Sequence, residues 1–136
     1  MTRRPTFRFN PLWWITADTR SAEAYSALMF LVFGVGFLVH GSLFDRYAVY
    51  RSLGAIMPEQ GWGCLFLAQW AMQSLAMCGN VWMLRYPSAL LAFVLWSGLG
   101  CLFLIGAPTS LSPYPSLLLA LFMAWVVWKG PTDGST

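Results

Sequence analysis

Three stretches of this chain, residues 24–44, 61–84 and 86–128, contain no Asp, Glu, Lys or Arg. Inside a bilayer every backbone N–H and C=O must be paired within the spanning structure, so only helices and closed barrels cross it. A helix needs about 20 apolar residues to do so, whereas a barrel strand needs about 10 with alternating polarity. The runs here are long and do not alternate, which predicts transmembrane helices. The third run is long enough for two. It breaks at residues 106–113, where Pro108 and Pro113 lack backbone donors and Thr109, Ser110 and Ser112 favour caps.

The expected fold is an all-α membrane protein forming a single domain over residues 1–136. Its four transmembrane helices are placed near 24–44, 61–80, 87–106 and 114–129. A short amphipathic helix near 46–57 is expected on the outer surface between the first and second. Composition agrees, since 58% of residues are hydrophobic and 10% charged, against about 25% charged in soluble domains. Mean hydropathy is +0.61. Four spans use most of the chain and leave no room for a separate catalytic domain.

The formal charge of +3 is scattered rather than clustered, so it predicts a topology signal and no nucleic-acid partner. With the N-terminus inside, the cytoplasmic segments hold Arg3, Arg4, Arg8, Arg20, Arg85 and Lys129, and the outer ones only Arg46 and Arg51. The positive-inside rule then places both termini in the cytoplasm of a bacterial inner membrane. The first 20 residues lack the apolar core of a removable signal peptide, so the first span is expected to serve as its own insertion signal. Aromatic girdles fit this drawing, with Trp13, Trp14, Tyr25, Trp82, Tyr86 and Trp128 inside and Tyr47, Tyr50, Trp62 and Tyr114 outside. Residues 10–17 read as a short interfacial turn. Trp70 and Trp96 fall near mid-bilayer, where the indole N–H needs a neighbouring helix.

Chemistry-bearing constellations are few. Cys64, Cys78 and Cys101 lie in apolar runs without C-x-x-C spacing and read as reduced packing residues. One His and three dispersed Cys give no metal-ligand spacing, so no metal or cofactor is expected. His40 and Asp45 match the His-x-x-x-x-Asp spacing of acyltransferases, but a helix exit without a thioester-binding domain favours an interfacial His bonded to Ser42 or to backbone. No enzyme is expected. Pumps and ion-coupled carriers place Asp, Glu, Lys or Arg within their spans, and here no ionisable group other than His40 and the thiols is read there.

Two helix faces stand out instead. Gln69, Gln73 and Asn80 share one face of the second span, and amides in lipid either join helices or line a wet path. Ser116, Ala120 and Ala124 form a small-residue face on the fourth span, and Gly34 and Gly36 offer similar close approach on the first. These faces serve packing within the chain or self-association. On the outer-surface helix Asp45 is expected to cap a pattern in which Tyr47, Tyr50, Leu53 or Gly54, and Met57 recur, with Arg46 and Arg51 snorkelling and Pro58 ending it. Pro58 and Glu59 then open the second span, with Trp62 at the interface.

The Gly-rich Phe33-Gly34-Val35-Gly36, the Tyr50-Arg51-Ser52-Leu53 segment and the block Pro58-Glu59-Gln60-Gly61-Trp62-Gly63 resemble small four-span membrane proteins encoded by tailed bacteriophages and prophages. The resemblance covers roughly residues 28–105 and implies a phage or prophage setting more than a mechanism. With it, the expected function is that of a non-enzymatic inner-membrane protein, self-associating and acting on the host membrane as holins do. The alternatives are a superinfection-exclusion protein whose outer-surface residues block an injection or channel complex, and an accessory subunit of a larger membrane complex. The expected partners are the lipid bilayer and either further copies of the chain or such a complex.

Overall fold

The computed structural model describes residues 19–79, 82–107, 109, 111 and 113–130. The interfacial turn expected at residues 10–17, and Asn80 of the amide face, lie outside the described residues. Among those described, all regular structure is helical: α1 (Arg20–His40), α2 (Leu43–Arg46), a 3-10 turn (Ala48–Tyr50), α3 (Arg51–Gly54), α4 (Glu59–Cys78), α5 (Trp82–Gly106) and α6 (Pro113–Lys129).

Two of these helices, Arg20–His40 and Met83–Gly106, are long and apolar enough to cross a membrane, with mean hydropathies of 1.8 and 2.2. α6 is apolar but has only 17 residues. α4 has the length, at 20 residues, but Glu59, Gln60, Gln69 and Gln73 dilute its apolar character.

The four long helices pack as two hairpins. α1 and α4 form one close pair, α5 and α6 the other, and α4–α5 and α1–α6 contacts complete the bundle. Glycine allows each hairpin to close. A Cβ at Gly34 would lie 2.9 Å from the Leu67 side chain and 3.1 Å from its backbone N, and one at Gly100 would lie 2.6 Å from the Leu117 side chain. Gly36 differs from its expected role, because it faces open space. α1 ends on Gly41, whose φ of 59° is the left-handed stop that glycine adopts without strain.

Short connections set the directions, so one end of the bundle gathers the start of α1, the end of α4, the start of α5 and the end of α6. The other end gathers the opposite termini and residues 42–57. Ser116 and Ala120 are buried and Ala124 is half-buried, so the small-residue face is covered by this chain's own helices. Outward positions are apolar: Val39, Leu75, Met83, Ile105 and Leu121 are all largely exposed.

Two boundaries correct the sequence reading. α5 begins at Trp82, five residues before the expected start, and carries Pro87 within it. A proline so near a helix start removes one backbone donor, a loss set against the burial of Arg85 described below. Residues 46–57 are not one amphipathic helix. They form a broken segment that folds over the bundle end, because Leu53 is fully buried and Tyr50 half-buried rather than resting on a surface.

Candidate functional site

The interior divides into a polar half and an aromatic half. Near the end where α1 begins, Glu23 and Arg85 are both 1% exposed and form a two-point ion pair, with Nη2 donating to Oε1 at 2.7 Å and Nε to Oε2 at 3.2 Å. The planar guanidinium matches a carboxylate in this geometry. One helical turn further in, Trp96 Nε1 donates to Ser26 Oγ at 2.9 Å, supplying the partner that a buried indole needs. Gln69 Nε2 donates to the Ser88 carbonyl at 2.8 Å, and Ser88 Oγ donates to the Arg85 carbonyl at 3.0 Å. Gln73 Nε2 lies 3.9 Å from Met123 Sδ.

These contacts share a position in the fold. Glu23 and Ser26 stand on α1 and Gln69 and Gln73 on α4, while Ser88, Arg85 and Trp96 stand on α5 and Met123 on α6. The polar contacts therefore bridge the two hairpins, along a seam whose side chains are shielded from the outside. Gln69 and Gln73 are 2% and 0% exposed, so the amide face of α4 joins helices inside one chain. Its two carbonyl oxygens, Gln69 Oε1 and Gln73 Oε1, have no hydrogen-bond partner.

Beyond Trp96 the interior fills with rings. Phe30 stacks on Trp96 at 4.6 Å, and Phe33, Phe37 and Phe66 pack around them at centroid distances of 5.6 to 6.3 Å. Phe37 leads on to Phe44 and Tyr50, and Tyr50 to Phe103. Among the described residues the buried polar groups of the seam stop at this cluster.

Residues 42–57 cap the ring cluster and are pinned by hydrogen bonds to α4 and α5. Both Glu59 oxygens accept the Leu43 backbone N–H, at 3.2 and 3.1 Å. Trp62 Nε1 donates to the Leu53 carbonyl at 3.1 Å, and Ser52 Oγ to the Leu102 carbonyl of α5 at 2.8 Å. Burial raises the Tyr50 phenol above its ordinary 10.0, and the neighbouring Tyr47 adds to the shift. Asp45, Arg46, Tyr47, Arg51 and Ile56 remain exposed on the cap.

Several expected placements change. Trp62 is buried at 7% exposure, and its indole holds the cap. Asp45 makes no capping bond, since Ser42 precedes α2, and Glu59 takes over the task of holding its first N–H. Pro58 stands at the N-cap of α4 with extended backbone and an exposed side chain. His40 is exposed and bonds the Gly36 carbonyl through Nδ1 at 3.1 Å. All three cysteines face outward rather than into the packing. Arg85, counted as a boundary charge, is instead neutralised by Glu23 within the bundle. The one signal for this pair in the sequence is an acid and a base flanking two apolar runs on the same expected side.

Among the described residues no three His, Cys, Asp or Glu gather to hold a metal. Compared with known proteins, the chain matches no family model, no curated protein and no solved structure.

Proposed function

We propose that this chain is a non-enzymatic, four-span membrane protein that works by presenting its cap to a partner complex in or at the membrane. α4 and α6 then join α1 and α5 as spans, because a bundle with so apolar an exterior leaves no face for water between them. The observation that carries the reading is the cap. It is a loop pinned to two helices yet offering Asp45, Arg46, Tyr47, Arg51 and Ile56 outward, and loops held by a rigid scaffold are where binding residues concentrate. Both termini lie in the cytoplasm of an inner membrane in this reading, and the cap faces outward. The resemblance of residues 28–105 to phage-encoded proteins suggests an injection or channel complex as the partner, blocked or joined by the cap.

The second reading is holin-like self-association that breaches the membrane. The seam favours it, since hairpins that part would turn Glu23, Ser26, Gln69, Gln73, Arg85 and Ser88 toward water. Expression in bacteria with a membrane-potential dye separates the two. The cap reading expects unchanged potential and resistance to infection that Tyr47→Ala with Arg51→Glu abolishes while the protein stays folded in the membrane. Depolarisation by the unaltered protein and indifference to the cap variant would sink it in favour of the breach. A reporter fused after Thr136 is expected to stay in the cytoplasm.

A further inference from the structure

The long helices form a ring in the order α1, α4, α5, α6, and its sides are not held equally. Inside each hairpin glycine lets the backbones close. Besides Gly34 and Gly100, a Cβ at Gly63 would lie 2.8 Å from the Leu38 side chain and 3.2 Å from the Gly34 carbonyl. α4 and α5 are tied by the short connection between Cys78 and Trp82 and by the Gln69–Ser88 bond. The side between α1 and α6 is the most sparsely packed of the ring. No loop joins the first helix to the last, and none of the close glycine approaches falls between them. The other bonds of the seam run across the centre instead, from Glu23 and Ser26 on α1 to Arg85 and Trp96 on α5, and from Gln73 on α4 to Met123 on α6.

The two ends of the α1–α6 side differ as well. At the cap end, Glu59 and Trp62 hold residues 42–57 to α4 while Ser52 holds them to α5, so the cap straddles both hairpins. It sits close on α5, where a Cβ at Gly106 would lie 3.0 Å from Ser52 Oγ and 3.1 Å from the Val49 carbonyl. Below it the rings of Phe30 and Phe33 join α1 to Trp96 of α5. The opposite end is polar. Glu23 and Arg85 are each the fourth residue of their helix, about 4.5 Å along the axis from its start. Gln69 and Gln73 further in each bury a carbonyl oxygen that meets no donor. An unpartnered buried acceptor disfavours the closed packing relative to any arrangement in which water reaches it. The ion pair and the Trp96–Ser26 bond favour closure, so pairs and orphans pull in opposite directions at the same end. We propose that α1 and α6 part at this end, that the cap is the hinge, and that the Glu23–Arg85 pair is the latch. Parting leaves each glycine-closed hairpin whole and admits water to the Gln69 and Gln73 oxygens.

This motion belongs to the single bundle and goes beyond both readings of the function. Distance reads the parting, membrane potential reads a breach and infection reads the cap, so each can fail alone. The test is double electron–electron resonance on the full chain in bilayers, with Cys64, Cys78 and Cys101 replaced by alanine. One spin-label pair, Ala24→Cys with Trp128→Cys, marks exposed positions near the start of α1 and the end of α6; the other, Val39→Cys with Tyr114→Cys, marks the cap end. Two distance populations are expected from the first pair and one from the second. Glu23→Gln leaves Arg85 buried without its acid and is expected to raise the longer-distance fraction severalfold. Gln73→Met removes one orphan at similar volume and is expected to lower that fraction. A single distance from the first pair in the chain with Glu23 and Gln73 intact would overturn the proposal. So would a longer-distance fraction that rises in Gln73→Met, the mark of a loosened interior rather than a relieved acceptor.

Discussion

The Glu23–Arg85 pair sets the largest single-residue stake in the bundle. Burying either charge alone is costly, and breaking a buried pair from one side typically loses about 3–5 kcal/mol, whereas replacing both partners by apolar residues is often near neutral. Glu23→Gln and Arg85→Met are each expected to lower the thermal midpoint in detergent steeply, and Glu23→Met combined with Arg85→Met to recover most of the loss. A double variant no better than the singles would show that the pair does more than compensate charge. Tyr50 makes a gentler prediction. Its raised phenol means that the unfolded chain releases this proton first, so its contribution is complete below pH 10 and is lost as pH rises through the folded value. In a 295 nm titration Tyr50 is expected to ionise above the ordinary tyrosine value, and Tyr50→Phe to flatten the stability decline above about pH 10. At this scale the sequence showed which groups are polar but not which of them meet. Gln69 and Gln73 were legible as an inward face from their helical spacing. Arg85 was not, because a charge beside an apolar run looks the same whether it ends a span or turns inward to an acid from another helix.

Between residue and molecule, the helices themselves were plain from the uncharged runs, and their limits were not. Pro87 looked like a start because proline suits the first turn; tertiary burial of Arg85 carried α5 back to Trp82. The periodic tyrosines and Leu53 suggested one surface helix, yet the same spacing serves a broken segment that drops Leu53 and Tyr50 into the bundle end. Glycines were equally ambiguous by sequence, and their environments now divide them. Gly34→Val is expected to cost about 1–3 kcal/mol by overpacking against Leu67, because the obstruction includes backbone at 3.1 Å. Gly36→Ala, facing open space, is expected to be neutral or to gain up to about 1 kcal/mol in helix propensity. Chemical unfolding in detergent compares the two, and equal losses would refute the close α1–α4 approach.

For the molecule as a whole, the arrangement of two glycine-closed hairpins joined by a polar seam explains why so many hydrophilic side chains coexist with an apolar exterior. The seam pairs most of them internally, leaving the Gln69 and Gln73 carbonyl oxygens without a partner, the ring cluster closes one end, and the cap is left to face outward. On the proposed four-span reading, unequal helix lengths carry a consequence for the surrounding lipid. At about 1.5 Å per residue, the 25 residues of α5 extend about 37 Å, while the 17 of α6 reach only about 25 Å, short of a hydrocarbon core near 30 Å. A membrane-spanning bundle built this way meets the bilayer with hydrophobic mismatch on one flank, which favours local thinning beside α6 and tilt of α5. Reconstitution into lipids of graded acyl length is therefore expected to give the highest thermal midpoint in short-chain bilayers. Long chains would press copies together along α6, turning membrane thickness into a control on crowding.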